Sequence, residues 1–142
     1  MHLLLVEDNP GDIFLVREAI ATFIEQGTLQ FSTVHSGTEA LAFLRRQAPY
    51  TQVASPDLVL LDLNLPAESG YEVLAELRQD PELKCIPVVV LTSSNKQEDI
   101  NQCYELGANA YLVKPIELEP ALSLLRSTVT FWSACKFHLL KG

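Results

Sequence analysis

Five short apolar runs, each followed by a stretch with helical periodicity, constrain most strongly what this chain can fold into. The runs occupy residues 3–6, 29–35, 57–61, 87–91 and 110–113. Runs that are wholly apolar are typical of strands buried on both faces of a parallel sheet. Successive parallel strands require right-handed crossovers through the intervening helices. The pattern therefore predicts an α/β fold with a doubly wound five-stranded parallel sheet and five helices.

Capping residues indicate where the helices begin. Asn9 precedes a proline at the start of the first helix, which favours a helix beginning there. Ser36 and Ser69 are each followed three residues later by glutamate, which makes a capping box. The fourth helix is predicted to span about 94–107 and an extended last helix about 119–140. We expect one domain over residues 1–142, with its core in about 2–126.

Composition excludes several classes of protein. The formal net charge of −8 argues against binding to nucleic acid or to anionic lipid surfaces. The cysteines Cys85, Cys103 and Cys135 are odd in number and widely separated, which argues against disulfides or zinc. No apolar run reaches the length of a membrane span, and no basic segment precedes the first strand. We therefore predict a cytoplasmic protein without a membrane segment.

Reactive side chains stand at the carboxyl ends of four of the five strands. Glu7 and Asp8 follow the first, Asp62 the third, Thr92 the fourth and Lys114 the fifth. Ligand sites of doubly wound sheets lie at this edge. Clustered carboxylates favour binding of a hard divalent cation such as Mg²⁺. Phosphoryl transfer needs positioning and charge neutralisation, which the cation, the lysine and the hydroxyl supply, and Asp62 is the natural nucleophile.

Five sequence segments in this order resemble one family, the receiver domains of two-component response regulators. They are LLVEDN (4–9), DLVLLDLNLP (57–66), SGY (69–71), PVVVLTS (87–93) and GANAYLVKP (107–115). The resemblance covers residues 2 to about 126. It implies a flavodoxin-like receiver fold with strand order 2-1-3-4-5. It also implies a phosphoacceptor signalling protein whose only chemistry is its own phosphorylation and dephosphorylation.

The resemblance further assigns a role to each residue of the acidic cluster. Asp62 would be the phosphoacceptor. Asp8 and Asp62 would hold Mg²⁺ directly, the backbone carbonyl of Asn64 would add a ligand, and Glu7 would act through water. Mn²⁺ would substitute for Mg²⁺.

The resemblance also gives roles to three residues near the phosphoryl position. Thr92 and Lys114 would bind the phosphoryl group, and Tyr111 would turn inward as an aromatic switch when Thr92 moves. The bond between Lys114 and Pro115 would be cis, which is a small cost at a bond before proline.

The last helix carries two apolar stripes. Leu118, Leu122, Leu125, Val129 and Trp132 are predicted to pack on the sheet. A second stripe, made by Leu124, Phe131, Cys135 and Leu139, is a candidate dimer face, because exposed apolar patches commonly mark interfaces. The alternative is a C-terminal tail folded over its own domain.

Only 27 residues follow Pro115, so we expect output through protein contacts rather than an attached domain.

Among receivers, the chain is most similar to the stand-alone regulators of bacterial phytochrome histidine kinases. The similarity lies in residues 9–12, 92–100 and 103–108 and in the Phe131-Trp132 pair. It implies phosphotransfer from a sensor histidine kinase of the bacterial phytochrome type, and a homodimer through helix 4, strand 5 and helix 5.

Three other functions suit parts of the pattern. A flavodoxin-like FMN electron carrier needs a phosphate-binding loop after the first strand, where Glu7 and Asp8 would repel the flavin phosphate. A phosphatase of the haloacid dehalogenase type needs a second aspartate where Asn64 stands. An interaction scaffold with a vestigial site is disfavoured because every expected site residue is present.

Overall fold

All five predicted strands form one parallel sheet. The computed structural model describes residues 1–136. The strands are β1 (His2–Val6), β2 (Gln30–Val34), β3 (Leu58–Leu61), β4 (Val88–Thr92) and β5 (Ala110–Val113). They pair in the order β2-β1-β3-β4-β5, which confirms the predicted fold and strand order.

Within residues 1–136, four helices connect successive strands and a fifth follows β5; together they cover both faces of the sheet. They are α1 (Pro10–Glu25), α2 (Gly37–Leu44), α3 (Gly70–Gln79), α4 (Gln97–Glu105) and α5 (Leu118–Ala134). The side chains of Asn9, Ser36 and Ser69 accept hydrogen bonds from backbone amides of the first turns of α1, α2 and α3. The predicted caps are therefore confirmed. Helix α4 starts later than predicted, because the hydroxyl of Ser94 donates to Asp99 instead of capping the helix.

Alternate residues of the central strands face two separate hydrophobic layers. One layer joins Leu4, Val59 and Val90 to α2, α3 and the buried Cys103 of α4. The other joins Leu3, Leu60 and similar residues to α1 and α5. Because β1, β3 and β4 are covered on both faces, their sequences are continuous apolar runs rather than alternating ones.

Arg78 links loops by hydrogen bonds at the edge of the sheet opposite the acidic residues. Its guanidinium donates to the carbonyls of Gly107 at 2.9 Å, Ile86 at 2.8 Å and Lys84 at 3.0 Å. It also donates to the side-chain oxygen of Asn109 at 2.8 Å. Two loop segments, the α3–β4 and α4–β5 connections, therefore share one half-buried cation. Burial lowers the pKa of Arg78.

Helix α5 begins where predicted but ends earlier, and its first residue packs differently from the prediction. It ends at Ala134, and Cys135 has an extended backbone, so the prediction of a helix continuing through residue 135 was wrong. The apolar periodicity continues past this point, although the aromatic and β-branched residues of the last turns are weaker helix formers. Leu118 is 61% exposed and does not pack on the sheet, whereas Leu122, Leu125 and Val129 are buried as predicted.

No helix within residues 1–136 is both long enough and apolar enough to span a membrane.

Candidate functional site

The sheet brings the strand-end residues together at its carboxyl edge. Carboxylate oxygens of Glu7, Asp8 and Asp62 all lie within 4.8 Å of one another. The ammonium of Lys114 lies 2.7 Å from Glu7 Oε2 and 3.8 Å from Asp62 Oδ2. The Lys114 amide donates to the carbonyl of Thr92 at 2.8 Å, which ties the end of β5 to the end of β4. The predicted constellation therefore forms.

Asp62 lies in a nearly closed position and is 7% exposed. Its Oδ1 accepts a hydrogen bond from the Leu63 amide at 2.8 Å, and its Oδ2 faces Lys114. Helix α3 begins directly against this residue. A Cβ at Gly70 would lie 2.4 Å from the Asp62 carbonyl oxygen, so only glycine permits this approach. The start of α3 therefore packs directly against the backbone of Asp62.

Lys114 is surrounded by acids on three sides. Besides Glu7 and Asp62, it contacts Asp12 Oδ2 at 3.0 Å. Burial lowers the pKa of Lys114, but the hydrogen bond from Lys114 to Glu7 and the charges of Asp62 and Glu7 outweigh it, and the pKa is raised. The lysine is therefore firmly cationic.

Asp12 is a residue that sequence reasoning did not assign to the site. It stands in the first turn of α1. Its position in the sequence could have predicted this placement. Helix α1 starts directly after Glu7 and Asp8, so its first turn must lie over the same edge of the sheet.

Glu7 and Asp8 differ in how freely they can bind a cation. Both oxygens of Glu7 accept hydrogen bonds, Oε1 from the Asn9 amide at 3.1 Å and Oε2 from Lys114 at 2.7 Å. Burial, partly opposed by Lys114 and reinforced by the charge of Asp62, raises the pKa of Glu7. Asp8 is exposed. A set of hard oxygen donors with one exposed member fits a divalent metal ion at this edge.

Thr92 is fully buried, and its hydroxyl makes no hydrogen bond to any residue within 1–136. An unpaired buried hydroxyl is costly, so native proteins rarely keep one without a functional reason. The sequence had marked this hydroxyl as a phosphoryl ligand. The absence of a hydrogen-bond partner within the described residues agrees with this predicted role as a donor to a phosphoryl group.

Tyr111 is half-buried and linked to the loop after β4. Its hydroxyl donates to the Ser94 carbonyl at 2.9 Å. The Ser94 hydroxyl donates to Asp99 at 2.6 Å, and the Tyr71 hydroxyl donates to the other oxygen of Asp99 at 2.8 Å. Hydrogen bonds from Ser94 and Tyr71 lower the pKa of Asp99. Sequence reasoning assigned no role to Tyr71 or Asp99, because their contact depends on how α3 packs beside α4.

Two other predictions concern the bond between Lys114 and Pro115 and the backbone carbonyl of Asn64. The bond between Lys114 and Pro115 is trans, so the prediction of a cis bond was wrong; within the described residues the cis bond precedes Pro49. Trans is the preferred isomer before proline, and a resemblance alone does not override that preference. The side chain of Asn64 is exposed, and the role of its backbone carbonyl stays a prediction.

The candidate dimer face is partly formed. Phe131 is 63% exposed, whereas Leu124 is half-buried on α5. Cys135 lies just beyond the helix, and its thiol donates to the Phe131 carbonyl at 3.4 Å. Leu139 lies outside the described residues.

The sequence pattern of the response regulator receiver domain matches residues 3–126. The chain belongs to this family. It is therefore a receiver-type response regulator, a signalling protein of two-component systems. Family membership favours phosphoacceptor chemistry at this edge over the electron-carrier and phosphatase alternatives.

Solved and curated receivers resemble the chain along most of its length. Response regulator Rcp1 from Synechocystis sp. is 42% identical over 132 residues, which cover 92% of this chain and 87% of Rcp1. The crystal structure of the phosphorylated cyanobacterial phytochrome response regulator RcpA has a TM-score of 0.90 at 41% identity, covering 97% of this chain and 98% of RcpA. The Mn²⁺-bound form of Rcp1 has a TM-score of 0.89 at 40% identity, covering 97% and 99%.

Proposed function

We propose that this receiver accepts a phosphoryl group on Asp62 from a sensor histidine kinase and signals through a change of its surface. The observation that carries the proposal is the surroundings of Asp62. Its carboxylate is nearly buried, faces the Lys114 ammonium at 3.8 Å and lies beside the Glu7 and Asp8 carboxylates. A phosphorylated relative of the same fold, RcpA, supports it.

The transfer replaces one bond to phosphorus with another. A carboxylate oxygen of Asp62 attacks the phosphorus of the kinase phosphohistidine, and a P–O bond forms as the P–N bond breaks. The electron pair of the broken bond stays on the imidazole nitrogen, which takes up a proton from solvent. Lys114 neutralises charge on the phosphoryl oxygens, and Thr92 donates its hydroxyl hydrogen to one of them.

A divalent cation belongs to this proposal. Asp8 and Asp62 would hold Mg²⁺ with the backbone carbonyl of Asn64, and Glu7 would act through water because both of its oxygens already accept hydrogen bonds. When bound, the ion neutralises charge and orients phosphoryl oxygens. The Mn²⁺-bound form of Rcp1 supports a divalent site, with Mn²⁺ as a substitute.

The surface change would start at Thr92 and reach the face formed by α4, β5 and α5. The phosphoryl group carries about 1.5 to 2 negative charges in place of the single charge of the Asp62 carboxylate, and Thr92 moves toward its oxygens. Tyr111 bonds the carbonyl of Ser94, two residues after Thr92, so a shift of this loop alters the position of the ring. We infer that Tyr111 is the switch residue.

The kinase partner is proposed to be of the phytochrome type. RcpA is a phytochrome response regulator, and another similar structure, 28% identical with a TM-score of 0.88, is a response regulator in red light signalling. We further propose a cytoplasmic location and no catalysis beyond the protein's own phosphorylation and dephosphorylation. Three free cysteines agree with a reducing compartment.

Radiolabelled acetyl phosphate with Mg²⁺, followed by phosphotransfer from purified histidine kinases, tests the acceptor. Wild-type protein should take up label, and Asp62→Asn should take up none. Asp57→Asn is the matched control, because Asp57 lies at the opposite end of β3, where it accepts a hydrogen bond from the His2 amide at 2.7 Å. Labelling of Asp62→Asn at the wild-type rate would exclude Asp62 as the acceptor.

The output is proposed to involve a homodimer through α4, β5 and α5. Tyr104 on α4, Val113 on β5 and Phe131 on α5 are all exposed apolar residues, 49%, 37% and 63% respectively. Exposed apolar groups from three adjacent elements favour an interface. A second copy of the chain presents the same apolar surface, so the patch is complementary to itself about a twofold axis.

Sedimentation at tens of micromolar, with and without phosphorylation, tests the dimer. Phe131→Ser should weaken association. Phe14→Ser is the matched control, because Phe14 on α1 is also 63% exposed and lies outside the proposed face. A wild-type monomer under both conditions would refute the dimer and favour a C-terminal tail folded over its own domain.

A further inference from the structure

A contact outside the predicted site holds the Lys114 ammonium. Nζ donates to Glu7 Oε2 at 2.7 Å and to Asp12 Oδ2 at 3.0 Å, but lies 3.8 Å from Asp62 Oδ2. Lys114 therefore makes hydrogen bonds to the two acids that flank the acceptor and none to the acceptor itself.

The backbone of Asp12 is fixed by the cap of α1. The Asn9 side chain accepts a hydrogen bond from the Asp12 amide at 3.1 Å. The first turn of the helix thus sets the position of the carboxylate. Residues 12 and 114 are 102 positions apart in sequence, so this contact exists only because α1 starts at the edge where β5 ends.

The number of N–H donors on the Lys114 ammonium explains how Glu7 and Asp12 together can orient it toward Asp62. An ammonium has three N–H groups and no acceptor. Glu7 and Asp12 occupy two of them, which leaves the third for the side of Asp62. Oxygens of a phosphoryl group bonded to Asp62 extend beyond the carboxylate, so they come within reach of an ammonium held at this distance. Fixing a flexible side chain beforehand removes an ordering cost from the reaction.

We propose that Asp12 is a positioning residue that holds Lys114 ready for the phosphoryl group. The inference rests on the proposed function, in which Asp62 is the acceptor. The side chain of Asp12 is 35% exposed and that of Glu7 only 2%. Glu7 is therefore the inner anchor, and Asp12 sets the direction of the ammonium from the solvent side. A partly exposed pair of this kind predicts a moderate effect on rate.

Labelling with acetyl phosphate and Mg²⁺ tests the inference in the full chain. We expect Asp12→Asn to take up label about two- to fivefold more slowly than wild type. Glu119→Gln is the matched control, because Glu119 is an exposed acid in the first turn of α5. It shares the favourable interaction with a helix N-terminus but has no contact with Lys114 within the described residues. Its uptake should equal that of wild type.

A second readout separates positioning from stabilisation of α1. The ¹⁵Nζ signal of Lys114, assigned with Lys114→Arg, should be observable by NMR in wild type because hydrogen bonds slow proton exchange. It should broaden or disappear in Asp12→Asn and persist in Glu119→Gln.

Three outcomes would overturn the inference. Uptake by Asp12→Asn at or above the wild-type rate refutes positioning while leaving Asp62 as acceptor. Slower uptake with an unchanged Lys114 signal shows that Asp12 acts through the helix instead. Failure of wild type itself to take up label refutes the proposed function and this inference with it.

Discussion

Replacing Thr92 with valine should stabilise the fold and impair its response to phosphorylation. Valine has nearly the shape of threonine, and residue 92 is the last residue of β4, where a β-branched side chain fits well. The Thr92 hydroxyl is fully buried and without a hydrogen-bond partner in residues 1–136. An unsatisfied buried hydroxyl costs about 1–3 kcal/mol. We therefore expect the free energy of unfolding to rise by about 1–2 kcal/mol.

Urea denaturation without Mg²⁺ or phosphodonor measures this difference. The single tryptophan, Trp132, is partly buried against the core and reports unfolding by fluorescence. The corresponding increase in Tm is about 2–8 °C. In the same variant, phosphoryl uptake and retention should fall, because the hydroxyl hydrogen proposed to bond the phosphoryl group is gone.

Thr128→Val is the matched control. The Thr128 hydroxyl donates to the Leu124 carbonyl at 2.7 Å, so its removal should bring no gain in stability. If Thr92→Val instead lowers the free energy of unfolding by 1 kcal/mol or more (roughly the net value of a satisfied hydrogen bond), the hydroxyl has a partner in the resting fold. The Thr92 hydroxyl would then not be reserved for the phosphoryl group.

Three further perturbations follow from the packing and the buried groups. Gly70→Ala should cost about 1–3 kcal/mol in urea denaturation and slow phosphoryl uptake, because its Cβ would meet the Asp62 carbonyl oxygen at 2.4 Å. Arg78→Ala should cost about 2–3 kcal/mol, because four acceptors in two loop segments lose their donor. Burial lowers the pKa of His2 from its ordinary value of 6.5. As the pH falls, the unfolded state therefore binds a proton before the folded state does, and the free energy of unfolding decreases below pH 6.5. His2→Gln should flatten this dependence between pH 7.5 and 5.5.

Matched variants make each of these tests selective. Gly11→Ala should be tolerated, since its Cβ would approach only the Asn9 side-chain oxygen at 3.2 Å. Arg126→Ala and His35→Gln alter exposed residues and should leave stability and its pH dependence unchanged. Equal losses for Arg78 and Arg126 variants would show that the guanidinium bonds of Arg78 contribute nothing. An unchanged pH slope in His2→Gln would assign the dependence to other groups.

The arrangement of Glu7, Asp8, Asp62, Thr92 and Lys114 was predictable from the sequence. Continuous apolar runs identify strands buried on both faces, and the parallel fold places the ends of all such strands at one edge. A residue's position at that edge follows from where its strand stops. No knowledge of side-chain packing is needed, which is why the parallel sheet, the caps and the acidic cluster agreed with expectation. The strand order was implied by the resemblance to receiver domains and agreed as well.

Only the tertiary structure decided which side chains meet at that edge and across the sheet. The bond between Asp12 and Lys114, the four contacts of Arg78 and the exposure of Leu118 depend on how separate elements pack. The same is true of the unpaired Thr92 hydroxyl. Apolar periodicity in the sequence predicts which face of a helix or strand is buried. Which side chain of another element it contacts depends on the distance and rotation between the two elements. Those quantities are set by the whole core at once, so no local pattern encodes them.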